Sequence, residues 1–311
     1  MCDNSLMQLL FIVLPIFILI AIGYFLRKVG LITREGISIL NSFVYYVSLP
    51  AVILMSFWGI NWLDSDTQST LIANTVLLIG FAILLFLLVR TLPISPKMQA
   101  GIFGAALVGN TVYMGFPIAE RALEEGGFHL YVAAATPHLV LGITLTILVI
   151  ERLVVTSQRP AQYFKDFFFN PLILSLLGGI ALSLSGVTGA VVDLIKEIGG
   201  MLAATASPIA LITLGAFLYK VFQPRLAMWG AVAASINLIL LPFFIFIGGN
   251  IIGLDPSVIV ASVLAAAMPT AVTSFVIAER YDAAPDLVAT TLFMSTICSL
   301  GTISVLILFF V

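Results

Sequence analysis

Two segments of the chain place helix-breaking and polar residues inside long apolar stretches. Residues 109–117 read GNTVYMGFP, and residues 267–274 read AMPTAVTS. Proline removes a backbone N–H donor and glycine permits non-helical backbone, so each segment is expected to interrupt a helix. Neither segment contains Lys, Arg, Asp or Glu, which leaves backbone amides, hydroxyls and one carboxamide as the groups that could bind a ligand.

These groups predict an anion site. Pro117 and Pro269 suit the first turn of a new half-helix, whose N-terminus offers free amides and a partial positive charge. Two such ends favour a carboxylate substrate and disfavour a strongly cationic one, because no acidic residue lies in either segment. The candidate substrate-binding residues are Asn110, Thr111, Tyr113, Gly115, Pro117, Pro269, Thr270, Thr273 and Ser274, together with His138.

Several of these features also have structural explanations. The interruptions could be simple kinks, Asn110 could cap a half-helix, and Tyr113 could serve aromatic packing. His138 either carries a proton or lines a cavity, or it is a neutral histidine with satisfied hydrogen bonds. Glu120 and Glu279, each followed by Arg, are interpreted as solvated helix ends.

The composition defines the environment of these segments. Of the 311 residues, 61% are hydrophobic and 9% are charged, and the mean hydropathy is +1.19. A water-soluble fold is excluded because too little polar surface is present. The net charge of −2 provides no basic surface for nucleic acid, and Cys2 and Cys298 make neither a zinc site nor a disulfide framework. We expect no bound cofactor; the coupling ion, proton or sodium, stays open.

The apolar stretches predict an all-α polytopic membrane protein. A helix needs about 20 apolar residues to cross a bilayer, and ten such stretches occur. The predicted spans are 6–26, 37–58, 70–90, 98–120, 129–151, 169–186, 200–220, 226–249, 257–279 and 286–310. The connections between them are too short for an extramembrane domain, which excludes catalysis in a separate soluble module.

Lys and Arg are distributed unevenly between the predicted connections. Of the 13 Lys and Arg residues, only Arg121 and Lys196 fall on the membrane face that would hold both termini. The others fall on the opposite face. Because basic loops remain in the cytoplasm, both termini are expected on the non-cytoplasmic side.

The second half of the chain repeats landmarks of the first. The matched landmarks are IAER at 118–121 and 277–280, SLPA at 48–51 and SPIA at 207–210, and the glycines Gly23 and Gly30 with Gly179 and Gly186. Their offsets lie between 156 and 159 residues. The copies 1–155 and 156–311 each hold five predicted spans, an odd number, so the second copy is inverted in the membrane. Pro50 and Pro208, at equivalent positions, are expected to shape scaffold helices or act as hinges.

Both interruptions fall near the middle of their spans, the fourth and the ninth, at equivalent positions of the repeat. Lipid cannot satisfy the freed backbone groups, so such segments face protein or a wet cavity. Paired interrupted helices are the best pointer in a sequence to the binding site of a transporter. The predicted fold is therefore two inverted five-helix repeats with broken crossover helices. This arrangement resembles the fold of sodium/proton antiporters or bile-acid carriers.

These residues resemble the auxin efflux carrier family, which includes plant auxin exporters and bacterial malonate-type permeases. Residues 109–117 look like the first crossover of the family, and residues 268–281, MPTAVTSFVIAERY, look like the second. Residues 41–50 and 206–211 resemble its second and seventh spans. The likeness covers essentially the whole chain.

The resemblance implies a permease or efflux carrier for small organic anions, working by an elevator mechanism. Spans 1, 2, 6 and 7, about 6–58 and 169–220, would form a scaffold that also makes a homodimer. Spans 3–5 and 8–10, about 70–151 and 226–310, would form the mobile transport unit. The long central loop of many plant members is absent, which favours a bacterial-type permease in the inner membrane.

The resemblance also assigns particular residues. The crossover Asn and Pro of the family map onto Asn110, Pro117 and Pro269. Many bacterial members carry Asn where this chain has Thr273, so the substrate cannot be copied from one relative.

Other functions remain open at this stage. A sodium- or proton-coupled symporter of larger organic anions, of the bile-acid-carrier type, also pairs ten spans with crossover helices. A non-transporting membrane sensor could keep the binding site. A polytopic enzyme is disfavoured because no paired carboxylates, His-Glu-x-x-His motif or nucleophile with a base is present.

Overall fold

The computed structural model describes residues 2–124, 126–154 and 171–310. In chain order the helices are α1 (Cys2–Lys28), α2 (Arg34–Phe43), α3 (Leu49–Trp58), α4 (Ser65–Thr91), α5 (Pro96–Leu107), α6 (Gly115–Ala122), α7 (Gly127–Leu153), α8 (Pro171–Ser185), α9 (Ala190–Ala204), α10 (Ala206–Leu218), α11 (Ala227–Ser235), α12 (Leu241–Ile251), α13 (Pro256–Ala266), α14 (Val272–Arg280) and α15 (Pro285–Phe310). Two π-helical turns, Val44–Ser48 and Ile236–Leu240, join α2 to α3 and α11 to α12. Within these ranges no β-strand forms beyond an isolated pairing of Gly109 with Thr270.

Seven helical stretches of the described chain are long and apolar enough to cross a membrane. They are Phe11–Lys28, Arg34–Trp58, Ser65–Thr91, Gly127–Leu153, Ala190–Leu218, Pro224–Ile251 and Pro285–Phe310. Large apolar side chains along them, such as Ile83, Ile251 and Phe309, are exposed. Long helices with an apolar outer surface suit a bilayer rather than water. The prediction of an all-helical polytopic membrane protein is confirmed at this level.

The other three predicted spans are not long single helices. The predicted spans 98–120 and 257–279 are each occupied by two short helices, α5 with α6 and α13 with α14. The predicted span 169–186 corresponds to the shorter apolar helix α8, and residues 169–170 lie outside the described residues, as do Arg159 and Lys165 of the preceding connection. The count of ten crossings therefore stays a prediction.

The predicted start of the seventh span, at residue 200, is wrong. Helix α9 already begins at Ala190, and only Thr205 separates it from α10. Lys196 is predicted from the sequence to lie in the connection before this span. In the structure Asp193 lies in the first turn of α9, where a negative charge suits the helix dipole, and the Lys196 ammonium lies 4.9 Å from the ring centre of Trp58.

The described chain divides into two compact units, each considered by itself. The smaller unit consists of Ile18–Gln68 and Arg159–Tyr219. In it, α3 packs against α8 and α9, and α10 packs against α2. Glycine permits a close approach of α1 and α10, because a Cβ on Gly215 would overlap the carbonyl oxygen of Ile20.

Pro50 and Pro208 belong to this smaller unit. Both lie in the first turn of a helix, α3 and α10 respectively. The residues just before these helices are joined by a hydrogen bond between the hydroxyls of Ser48 and Thr205, 2.7 Å long. The two irregular turns are thus linked to each other, and the hinge role of the prolines stays a prediction.

The larger unit consists of Met1–Phe17, Ser69–Gln158 and Lys220–Val311. Helix α7 packs against both α5 and α13, and α15 packs against α5, α11 and α14. The apolar core includes Leu78, Phe81, Leu85, Ile102, Phe103, Leu107, Leu241, Ile245 and Leu287. All four half-helices around the interruptions therefore lie in one unit, held by α7 and α15.

Candidate binding site at the helix interruptions

The non-helical residues 108–114 and 267–271 separate the paired half-helices of the larger unit. The two segments run antiparallel beside each other. Two backbone hydrogen bonds join them, from Asn110 N to Pro269 O at 2.7 Å and from Ala271 N to Val108 O at 2.9 Å. A Cβ on Gly109 would lie 3.0 Å from the carbonyl oxygen of Met268, so the backbones approach at a glycine. The predicted interruptions are thus present, and they contact each other directly.

Side chains complete the end of α5. The hydroxyl of Thr270 donates to the carbonyl of Ala105 at 2.8 Å, and the Asn237 amide donates to the carbonyl of Ala106 at 3.2 Å. The amide of Thr270 in turn donates to the Ser295 hydroxyl at 3.1 Å. The first two bonds satisfy carbonyls at the end of α5 that the interruption deprives of helical donors. The hydroxyl and the amide of Thr270 are therefore both occupied by hydrogen bonds that position the backbone.

The amides at the start of α6 are already bonded within the same segment. The Gly115 amide donates to the carbonyl of Asn110 at 3.2 Å, and the Phe116 amide donates to the carbonyl of Val112 at 3.3 Å. Pro117, the third residue of α6, has no N–H. The expectation that both half-helices offer free amides is therefore wrong for α6, because its preceding turn supplies the acceptors.

The start of α14 differs. In the described chain the amides of Val272 and Thr273 donate no hydrogen bond, and the Ser274 amide donates to the carbonyl of Ala271 at 3.1 Å. The expectation that Pro269 lies in the first turn of this helix is wrong. Pro269 lies before α14, where its carbonyl accepts the bond from the opposite segment. One helix N-terminus, not two, thus presents free donors and positive charge.

Two buried side chains add further donors. Asn110 is 3% exposed and Ser274 is 2% exposed. Neither Asn110 Nδ2 nor Ser274 Oγ has a hydrogen-bond partner among the residues that the structure describes. A buried donor without an acceptor carries a cost of about 1–3 kcal/mol, which a ligand oxygen would remove. The half-buried Thr273 directly precedes Ser274 in the first turn of α14.

Tyr131 of α7 supports the first interruption. Its hydroxyl donates to the carbonyl of Thr111 at 2.9 Å, and its ring is fully buried. A Cβ on Gly115 would overlap this hydroxyl, so Gly115 is needed for the close contact. Tyr113 lies half-buried in the same turn.

The remaining predicted residue, His138, is buried in α7 directly after Pro137. It is 2% exposed, and its Nε2 has no partner in the described part of the chain. No hydrogen bond links its ring to the interruptions in that part. Glu120 and Glu279 are exposed, in keeping with solvated helix ends.

Sequence reasoning missed three polar residues of this unit. Asn74 and Asn237 are buried amides in otherwise apolar helices, a signal that could have been used because intramembrane polar residues are often functional. Thr146 of α7 is 1% exposed, and its hydroxyl has no partner within the described ranges. Nothing in the local sequence distinguishes it from other helical threonines. Among the described residues, no group of three His, Cys, Asp or Glu could hold a metal ion.

Comparison with known proteins gives one family. The model of a family described as "Membrane transport protein" matches residues 9–307. An uncharacterized transporter of Methanothermobacter thermautotrophicus is 25% identical over 93% of this chain and 94% of its own length. One from Methanocaldococcus jannaschii is 25% identical over 94% and 96%. A protein of Rhizobium meliloti, provisionally named a malonate transporter, is 26% identical over 94% and 93%.

Proposed function

We propose that this chain, which belongs to the membrane transport protein family, is a secondary transporter of a small organic anion. That family is the auxin efflux carrier family, which the sequence resembles. The substrate is a mono- or dicarboxylate, and it binds where residues 108–114 and 267–271 meet. The name of the Rhizobium meliloti relative makes malonate the first compound to test.

The chemistry of the α14 N-terminus carries this proposal. Free amides at Val272 and Thr273 and the unpartnered side chains of Asn110 and Ser274 are all donors. With no basic side chain in either segment, the site attracts a negative oxygen through partial charges alone.

The division into two units supports an elevator mechanism. The larger unit contains both interruptions, and its parts Ser69–Gln158 and Lys220–Val311 overlap the ranges expected for a transport unit. The smaller unit overlaps the expected scaffold ranges. The larger unit also includes residues up to Phe17, so the first predicted span, 6–26, belongs partly to each unit. We propose that the larger unit carries the substrate and moves against the smaller one.

Local geometry supports the inverted repeat. Gly30 and Gly186, matched in the sequence, both lie within two residues after a helix end and have positive φ, +85° and +61°. Asn74 of the first copy donates to Ser262 of the second at 2.7 Å, and Asn237 of the second donates into α5 of the first. Reciprocal contacts of this kind are expected when two inverted copies interlock, and the exchange of their conformations would give alternating access.

The remaining expectations belong to the same proposal. The protein is an integral multi-pass membrane protein, and we place it in a bacterial inner membrane with both termini outside the cytoplasm. Two copies pair through the smaller unit. The transporter needs no bound cofactor, and its coupling ion is a proton or sodium.

Transport by purified protein tests the proposal. The protein is reconstituted into liposomes, and uptake of radiolabelled acetate, malonate and succinate is measured with and without sodium and a pH gradient. We expect uptake of at least one carboxylate above that of protein-free liposomes. Folded protein that moves none of them contradicts the proposal.

The same experiment separates the alternatives. Uptake of taurocholate that depends on sodium, without uptake of small carboxylates, would favour a symporter of larger organic anions. Binding without flux would favour a sensor, and chemical change of the label without flux would favour an enzyme.

A further inference from the structure

A pair of buried hydroxyls lies next to the interruptions but outside the pairing of residues 108–110 with 269–271. Thr146 of α7 and Ser274 of α14 are 1% and 2% exposed. Neither Thr146 Oγ1 nor Ser274 Oγ has a hydrogen-bond partner within the described residues. Two unpartnered hydroxyls in one apolar interior are costly unless another group accepts a hydrogen bond from each of them.

Thr146 is exceptional among the threonines of its helix. The hydroxyls of Thr136 and Thr144 donate to the carbonyls four residues before them, at 2.8 and 2.7 Å. Threonine in a helix commonly forms this local bond. Thr146 forms no such bond, so its hydroxyl is available to a group outside the helix.

Gly104 of α5 brings the two hydroxyls to one place. A Cβ on this glycine would lie 3.5 Å from Ser274 Oγ and 3.8 Å from Thr146 Oγ1. The same Cβ would lie 2.7 Å from the Thr146 methyl carbon, so a larger residue would displace Thr146. Three helices thus meet at a glycine, with two free donors within 4 Å of a single point.

The electrostatic setting selects a negative oxygen. Ser274 lies in the first turn of α14, beside the unbonded amides of Val272 and Thr273. Hydroxyl donors at the positive end of a helix favour a carboxylate over a cation.

The position of this pair is distinct from that of Asn110. In the antiparallel pairing, Asn110 faces Pro269, whereas Ala271, three residues before Ser274, faces Val108. Asn110 and Ser274 therefore lie towards opposite ends of the paired segments. They are suited to contact different parts of one substrate.

We propose that Thr146 and Ser274 form a carboxylate subsite, in which each hydroxyl donates to an oxygen of the substrate carboxylate. This inference rests on the proposed function. It adds a substrate contact from α7, a helix outside the two interruptions. Because both oxygens are buried, the carboxylate reaches them only after a local movement of the helices around Gly104.

Isosteric substitution tests the subsite. Thr146→Val removes the donor and keeps the volume, and Thr144→Val, two residues earlier, is the matched control because its hydroxyl is already bonded. Binding of radiolabelled malonate, acetate and succinate is measured by equilibrium binding to purified protein. For any carboxylate that the wild type binds, we expect Thr146→Val to raise Kd about 10- to 100-fold, as for one lost bond to a charged group.

The controls keep the outcomes distinct. We expect Thr144→Val to change Kd less than about threefold, as for a hydroxyl that binds only its own helix, and Ser274→Ala to weaken binding as Thr146→Val does. Unchanged Kd in Thr146→Val, or an equal loss in Thr144→Val, overturns the subsite while leaving the transport proposal intact. If the folded wild type binds none of the three probes, both proposals fail together.

Discussion

The contact between Gly115 and Tyr131 permits a quantitative test of the first interruption. In Gly115→Ala the new methyl group would overlap the Tyr131 hydroxyl and lie 2.8 Å from its Cζ. Overpacking of a core costs about 1–3 kcal/mol. Displacing Tyr131 also removes the 2.9 Å bond to the Thr111 carbonyl, and a buried acceptor left alone costs about 1–3 kcal/mol. The two penalties together are a large share of a typical stability of about 5–15 kcal/mol.

The assay is thermal unfolding of the purified protein in detergent. We expect Gly115→Ala to lower Tm by at least about 4 °C. In a Tyr131→Phe background the overlapping oxygen is absent, so the same substitution should lower Tm by less. Gly301→Ala is the control, since a Cβ there meets nothing within 4 Å and removing a helical glycine should be neutral or stabilising. Equal losses in both backgrounds, or an unchanged Tm in Gly115→Ala, would refute the assigned contact.

Two further predictions concern stability. Gly215→Ala should abolish recovery of folded protein, because its Cβ would overlap the backbone carbonyl of Ile20, which cannot rotate away. The control Gly200→Ala has open space around its new Cβ and should purify normally. Equal yields of the two variants would contradict the close helix contact. Asn237→Ala should lower the free energy of unfolding by about 1–3 kcal/mol, because the buried carbonyl of Ala106 loses its donor, and an unchanged denaturation midpoint would contradict this role.

The interruptions were predictable because their causes are local. Proline and glycine in the middle of an apolar stretch disfavour a helix wherever the chain folds, and the observed breaks at 108–114 and 267–271 overlap the predicted ones. The all-helical membrane architecture follows equally directly from composition.

The state of each helix N-terminus was not predictable in this way. The amides of α6 are bonded because the turn after Asn110 brings its own carbonyls into range, and the position of Pro269 depends on pairing with a segment about 160 residues away. Two similar motifs therefore acquire different chemistry. Thr146 escaped notice for a related reason, since its lack of a partner is a property of tertiary packing.

The charges before the seventh predicted span were misleading for a different reason. Lys196 was assigned to a connection, yet a helix accommodates charges in its first turns when they suit the dipole, as Asp193 does, or lie over an aromatic ring, as Lys196 does. Hydropathy therefore locates a span better than it locates the helix start.

The most direct test of the account is carboxylate binding by Asn110→Ala. Its Nδ2 has no partner in the described chain, so the substitution should leave Tm close to that of the wild type. We predict that a carboxylate which raises the Tm of the wild type does not raise the Tm of Asn110→Ala. The control Asn250→Ala changes an exposed amide, and its Tm should rise as in the wild type. An undiminished response in folded Asn110→Ala would contradict a substrate site at the paired interruptions.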